Sequence, residues 1–474
     1  MIKYSSIVYD TIPIIIIKFF RGDYKMKLKT WQTIRVGFAF LSICAFWQMY
    51  NGIIPLILKN TFNMNETITG VIMAADNVLA LFLLPLFGGI SDKCKSKMGR
   101  RKPFILFGTI AAVILMLMLP LIDNSYFANP SLGKEILFVG ILGALLVAMG
   151  TYRSPAVALM PDLTPKPLRS QGNAIINLMG AVGGVLYLGI STVLYNSKRV
   201  AGLEHVDYFL LFAIVAGIML VGMLIVMITV NEVKISNEVK AIEAEHPEWD
   251  LTVDDGSGNA KLPADVKKSL AFVLISVALW FIAYNALETW FTTFASVKWD
   301  MALGDANLFL TIATVGAIVC YIPSGLIAGK IGRKKTILIG VAVMTVCFMA
   351  AFIFTLSFSG EFQMAEKIFF YVLLALVGAG WGFINVNSLP MVIEMCKGSD
   401  VGKFTGYYYT FSMAAQIVTP IICGALLRYV SYDVFFPYAF VFMGLAFVTM
   451  LFVKHGDSKN IEVKKGLDAF EDMD

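Results

Sequence analysis

The chain has 474 residues, of which 58% are hydrophobic and 15% charged, whereas soluble domains carry roughly 25% charged residues. Its formal net charge of +5 does not argue for a nucleic-acid partner, because what matters is where the basic residues sit. They lie between recurring stretches of about 20 apolar residues, the signature of a chain that crosses a bilayer many times.

Residues 1–32 read as an N-terminal cytoplasmic extension. Its Ile14–Ile17 run is too short to span a membrane and has no small-residue cleavage site after it, and Met26 is an alternative start of translation. Six spans then follow at about 33–58, 67–90, 103–122, 135–158, 170–194 and 207–230. A polar segment, 231–268, reads as a cytoplasmic linker with a surface helix over Asn231–Glu245 and a flexible Asp254-Asp255-Gly256-Ser257-Gly258 stretch. Six more spans are expected at about 269–294, 306–329, 336–357, 366–390, 403–427 and 434–453, before a cytoplasmic tail, 454–474. The expected fold is all-α, with one six-helix half at 33–230 and another at 269–453.

With both termini in the cytoplasm, 30 of the 38 lysines and arginines fall on the inner side. Six of these lie between Lys93 and Lys102, and four between Lys330 and Lys335. The outer loops hold Lys59, Lys134, Lys198, Arg199, Lys298, Lys367 and Arg428, while Arg153 falls within the membrane. This bias sets the orientation in a plasma membrane by the positive-inside rule. The cysteines, Cys44, Cys94, Cys320, Cys347, Cys396 and Cys423, avoid the outer loops and show no disulfide or metal spacing, so they read as packing thiols.

A basic hairpin occurs twice. Gly88-Gly89-Ile90-Ser91-Asp92-Lys93 runs on to Gly99-Arg100-Arg101-Lys102, and Gly325-Leu326-Ile327-Ala328-Gly329-Lys330 runs on to Gly332-Arg333-Lys334-Lys335. The fourth and tenth spans also correspond: Arg153-Ser154-Pro155 leads to Asp162, and Asn387-Ser388-Leu389-Pro390 leads to Glu394. Two parallel six-span repeats point to a transporter with its site between the halves.

On these motifs the chain resembles the major facilitator superfamily over essentially its whole length. The long first hairpin, with Ser91-Asp92-Lys93-Cys94 and Gly99-Arg100-Arg101-Lys102-Pro103-Phe104, is similar to the branch containing plant sucrose–proton symporters. Arg153-Ser154-Pro155-Ala156-Val157-Ala158-Leu159-Met160-Pro161-Asp162-Leu163-Thr164 is similar to a stretch of the same branch. The resemblance implies the major facilitator fold, a glycoside substrate and a monomer. There are departures. Gly329 stands where the second hairpin would carry aspartate, the first outer loop has no histidine, and Ala80 and Leu84 replace the acids of sodium-coupled melibiose carriers.

Charges at membrane depth are candidates for function. Asp76 and Glu288 are the candidate proton-coupling acids, and each could alternatively tie helices together. Arg153 is a candidate for substrate hydroxyls or for a structural ion pair. A sugar needs amides and acids for its hydroxyls and aromatic rings for its C–H faces. Gln48 and Asn51, Asn173 and Asn177, Tyr284 with Asn285 and Glu288, and Trp381 with Asn385 occur at helical spacing, and Asn77 follows Asp76. Each could equally serve helix packing. Gly88, Asp92, Gly99, Arg100, Arg101, Gly325, Gly332, Arg333 and Lys334 form the candidate gating motif. No phosphate loop, nucleotide fingerprint or nucleophile elbow is present, so no cofactor and no enzymatic activity are expected. The reading is a proton-coupled symporter of a disaccharide or small glycoside, working by alternating access. A proton-driven exporter of drugs or metabolites and a non-transporting sensor are the competing readings.

Overall fold

The computed structural model describes residues 28–165, 168–246, 263–358, 362–395 and 401–456. Most of the N-terminal extension, Cys396, the Asp254–Gly258 stretch and most of the tail lie outside the described residues. Twelve helices are long and apolar enough to cross a membrane. They are α1 (Thr30–Asn60), α2 (Glu66–Asp92), α3 (Lys102–Ala128), α4 (Leu132–Asp162), α5 (Arg169–Leu194) and α6 (Phe209–Thr229), then α7 (Ala264–Trp299), α8 (Leu303–Ile331), α9 (Arg333–Ser357), α10 (Met364–Ile393), α11 (Val401–Tyr429) and α12 (Phe435–Leu451). All twelve expected spans are present, most of them longer than their apolar windows. A polar linker helix, Glu232–Glu245, follows α6.

Local chemistry explains the helix ends. The Asn65 side chain accepts from the Ile68 amide and starts α2, and Asn231 does the same for Lys234 in the linker helix. Pro103 sits in the first turn of α3, where a missing amide costs nothing. Gly99 and Gly332 have φ of 113° and 94°, so each hairpin turns through a conformation that favours glycine. Prolines occur inside α1, α2, α3, α4, α8, α10 and α11, which spanning helices tolerate where neighbours, hydroxyl side chains or local adjustments re-satisfy the freed backbone groups.

Packing repeats under a shift of six helices. In the first half α1 packs on α5 and α6, α2 on α4, and α3 on α4 and α6. In the second, α7 packs on α11 and α12, α8 on α10, and α9 on α10 and α12. The halves meet through α1 with α7, α2 with α11 and α5 with α8. The same shift maps the second of these pairs onto the third, as a duplicated unit paired about a pseudo-two-fold axis requires.

The seam between the halves is closed at the end remote from the basic hairpins. The buried Glu66 accepts from Lys59 at 2.6 Å and, across the seam, from the Tyr432 hydroxyl at 2.8 Å. Thr292 donates to the Gly52 carbonyl at 2.8 Å, and Asn307 to Ser191 at 2.7 Å. The Gly304 amide donates to the Tyr195 carbonyl at 2.8 Å, and the Ser197 amide to Asp305 at 2.9 Å. Every hydrogen bond described between the halves lies at this end. Gly70 abuts the Pro420 carbonyl and Gly424 abuts the Glu66 carbonyl, so neither position has room for a side chain. Gly70→Ala and Gly424→Ala should therefore wedge the seam, at a cost of about 1–3 kcal/mol of packing. A hydrophilic maleimide should label a cysteine placed at Ser296 several-fold faster in either variant, in a background free of native cysteines. Gly143→Ala, where the added methyl meets open space, should leave the rate unchanged.

Candidate functional site

The basic end of each half is held by helix-end chemistry. The Lys102 ammonium donates to the last carbonyls of α6, Met227 and Val230, both at 2.8 Å. In the second half Lys334 donates to Leu451 at 2.9 Å and Val453 at 2.6 Å, at the end of α12. Cations there satisfy orphan carbonyls and meet the negative end of the helix dipole. Arg101 pairs with Asp162 at 2.8 Å and Asp92 at 2.5 Å, and bonds Ser91 and the Gly88 carbonyl; Arg333 pairs with Glu394. By contacts, Arg101 and Lys102 thus correspond to Arg333 and Lys334. The aligned Gly-Arg-Arg-Lys and Gly-Arg-Lys-Lys strings place the equivalence one residue earlier, so the contacts of the two hairpins are offset by one residue relative to their glycine turns. Arg100 adds a second contact to Asp162 at 2.7 Å. Gly325 faces open space on α8.

The first half has an addition that the sequence reading missed. The carboxylate of Glu232, on the linker helix, accepts from the backbone amides of Arg100 at 2.7 Å, Arg101 at 2.9 Å and Lys102 at 3.0 Å. It caps α3 while Lys102 caps α6, a reciprocal clamp. Further along the same helix Glu238 pairs with Lys29 and Glu243 with Arg169, each at 3.1 Å. The signal was Asn231-Glu232 directly after an apolar run, a helix-start pattern whose partner lies 130 residues away.

The intramembrane candidates are distributed over both halves. In the first, the Arg153 guanidinium lies 5.4 Å from the centre of the Trp47 indole, stacked over its face. Trp47 meets Tyr50 edge-on at 5.4 Å. Among the described residues no carboxylate lies within ion-pair distance of Arg153, but the charge of Asp76 acts on it and also on Tyr50. The Asn77 amide donates to Asp76 at 2.8 Å. Asp76, Arg153, Gln48 and Asn51 are half-buried.

In the second half Tyr284 and Trp381 stack at 3.9 Å and 4°, with Phe281 edge-on to Trp381 at 5.3 Å. The half-buried Glu288 lies beside this stack and acts electrostatically on Tyr284 and Tyr321. Among the described residues it has no hydrogen bond, no ion pair and no cation acting on it. Tyr321, which the sequence reading missed, lies within electrostatic reach of Glu288 and near Asn385. Asn285 is buried with its side-chain carbonyl unpartnered. Cys44 of α1 lies within electrostatic reach of both Arg153 and Glu288. Asn173, Asn177 and Asn385 are exposed.

Other charged groups lie elsewhere. A cleft of about 920 Å³ at the closed end is lined by Glu204, His205, Asp300, Asp305 and Lys367, among others, and by none of the intramembrane candidates. His205 contacts Asn124 at 2.8 Å and the buried Asp123 at 3.6 Å. Burial holds its imidazole below the ordinary histidine value, against the opposing pull of Asp207.

Residues 36–303 and 298–470 match the model of the Major Facilitator Superfamily. Sucrose transport protein SUC3 of Arabidopsis thaliana is 31% identical over 138 residues, which are 27% of this chain and 23% of that protein. Alpha-ketoglutarate permease of Escherichia coli is 26% identical over 161 residues, 34% of each chain. The chain thus aligns with only about a quarter to a third of the length of these curated relatives. The inward open conformation of the xylose transporter XylE from E. coli superposes with a TM-score of 0.62 at 14% identity, covering 91% of this chain and 97% of that one. That likeness concerns the fold.

Removing the acceptor that three adjacent amides share costs about 1–3 kcal/mol. Glu232→Ala should therefore lower the thermal melting point of the purified protein by several degrees, and Glu232→Gln by less. An unchanged melting point in the alanine variant would show that the clamp contributes nothing.

Proposed function

Because the chain belongs to the Major Facilitator Superfamily, we propose that it is a proton-coupled symporter of a disaccharide or small glycoside. One observation carries the reading. Among the described residues, a guanidinium with no carboxylate within ion-pair distance rests on an indole in one half, and a carboxylate with no cation acting on it lies beside stacked aromatic rings in the other. Such groups are costly at membrane depth unless a ligand or a proton completes them. Forked donors and a carboxylate suit sugar hydroxyls, and rings suit the C–H faces. The partial likeness to sucrose transport proteins supports the same substrate class.

Arg153, Gln48 and Asn51 would hold one side of the sugar, and Glu288 with Trp381 and Tyr284 the other. Asp76 is the first choice for the transported proton: its protonation would free Arg153 to bind the ligand, and release of the proton would draw the guanidinium back. The positive-inside bias supports a cytoplasmic basic end and cytoplasmic termini. In that orientation the seam is closed outside, and the arrangement is the inward-facing state. Opening it outward requires Glu66 and Tyr432, Asp305 and Ser197, and the abutting glycines to separate. The hairpin network of Asp92, Arg101 and Asp162 would keep the inner end of the first half rigid during that motion.

An organic anion, the class named for the E. coli permease, would suit Arg153 but would face Glu288 and Asp76. Charge therefore favours the neutral sugar. A lipophilic cation is the substrate that the unpaired Glu288 would suit on an exporter.

Proteoliposomes given labelled maltose or sucrose should accumulate one of them when the interior is alkaline, and much less without the gradient. Uptake indifferent to the gradient would remove proton coupling, and extrusion of a lipophilic cation with no glycoside movement would establish the exporter. Asp76→Asn should lose about 100-fold of gradient-driven accumulation while retaining sugar exchange, since exchange needs no net proton movement. Full accumulation by that variant, with loss in Glu288→Gln, would transfer the proton to Glu288.

A further inference from the structure

Arg153 lies in a weak stretch of its helix. Pro155 has no amide for the Thr151 carbonyl, so α4 is loosened around the residue whose direction matters most. Its two sequence neighbours carry ties. The Tyr152 hydroxyl, completely buried, and the Ser42 hydroxyl of α1 bond each other and share the Ala39 carbonyl of α1, at 2.9 and 2.8 Å. On the other side the Ser154 hydroxyl donates to the Leu84 carbonyl of α2 at 2.7 Å. Successive helical side chains diverge by about 100°, so these ties flank the arginine. They also lead to the two helices that matter to it. α1 carries Trp47, under the guanidinium, and α2 carries Asp76, whose charge acts on it. At Tyr152 α4 also lies close against α3, where Gly108 leaves room for the Tyr152 backbone and Cβ.

We propose that Tyr152 and Ser154 are positioning residues that hold Arg153 between Trp47 and Asp76. Each hydroxyl replaces, from a neighbouring helix, stiffness that Pro155 removes from α4. Packing alone would need the rings and methylenes but not the hydroxyls. The consequence for transport rests on the assignment of Arg153 to glycoside binding made above.

The test reads the arginine directly. In protein labelled with 5-fluorotryptophan, the Trp47 fluorine resonance is assigned by its loss in Trp47→Phe. Tyr152→Phe and Ser154→Ala should each shift or broaden that resonance, as Arg153→Lys does, and should add little to the Arg153→Lys change. Ser42→Ala removes one of the two contacts of the Tyr152 hydroxyl and leaves its bond to the Ala39 carbonyl, so it should shift the resonance by less, and it serves if Tyr152→Phe fails to fold. Tyr438→Phe, a buried tyrosine on α12, should leave the resonance where it is. A Trp47 resonance unchanged in Tyr152→Phe and Ser42→Ala overturns the proposal. In transport, the half-saturation constant for maltose or sucrose should rise about tenfold in Tyr152→Phe, the loss of one well-placed charged hydrogen bond. The rise should vanish in an Arg153→Lys background, whereas a general packing defect would add to it. A shifted resonance with an unmoved half-saturation constant supports the positioning role and overturns the glycoside role of Arg153.

Discussion

A lysine ammonium placed on the last carbonyls of a helix is the contact from which the architecture of each half follows. Lys102 closes α6 and Lys334 closes α12, at the same point of the two repeats. The last carbonyls of a spanning helix have no partner within the helix, and at the edge of a bilayer they cannot all reach water. A cation delivered from the start of α3 or α9 satisfies them and locks the sixth helix of the unit to the third. The basic hairpins are therefore staples as well as topology signals. Arg101 and Arg333 extend the same principle to the ends of α4 and α10 through Asp162 and Glu394.

The two copies then diverge. In the first, Glu232 follows α6 on the linker helix and adds a second cap, returning a carboxylate to the amides that start α3. With Glu238 on Lys29 and Glu243 on Arg169, that helix joins the basic ends of α1, α3 and α5. The bonds described for it run to the first half. A half made stiff at this end moves as one body, which is what rocking about a closed seam at the opposite end demands.

The centre of the molecule obeys a different rule. At the hairpins Arg101, Lys102, Arg333 and Lys334 each meet an opposite charge or a row of dipoles. Between the halves, Arg153 rests on Trp47 and Glu288 stands beside Tyr284 and Trp381, each without an ion-pair partner among the described residues. Satisfied charges hold a scaffold, whereas unsatisfied ones are available to a ligand or a proton.

The sequence by itself determined the twelve spans, their duplication and the identity of the charged residues at depth. Those features rest on local properties: the length of an apolar run, a glycine before a basic pair, an acid where hydrocarbon is expected. It also yielded the pairs at helical spacing, but spacing shows only that two residues share a face, not which neighbour that face meets. Asn173 and Asn177 share an exposed face, while Tyr321, with no such pair to mark it, stands beside Glu288. The tertiary structure alone decided that Glu232 caps a helix 130 residues away. It also decided that Arg101, not Arg100, is the counterpart of Arg333, and that Glu66 meets Tyr432 across the seam. Each of these depends on how helices distant in the chain are set against one another, and a carboxylate's partner is whichever donor that packing brings within 3 Å, which no local pattern encodes.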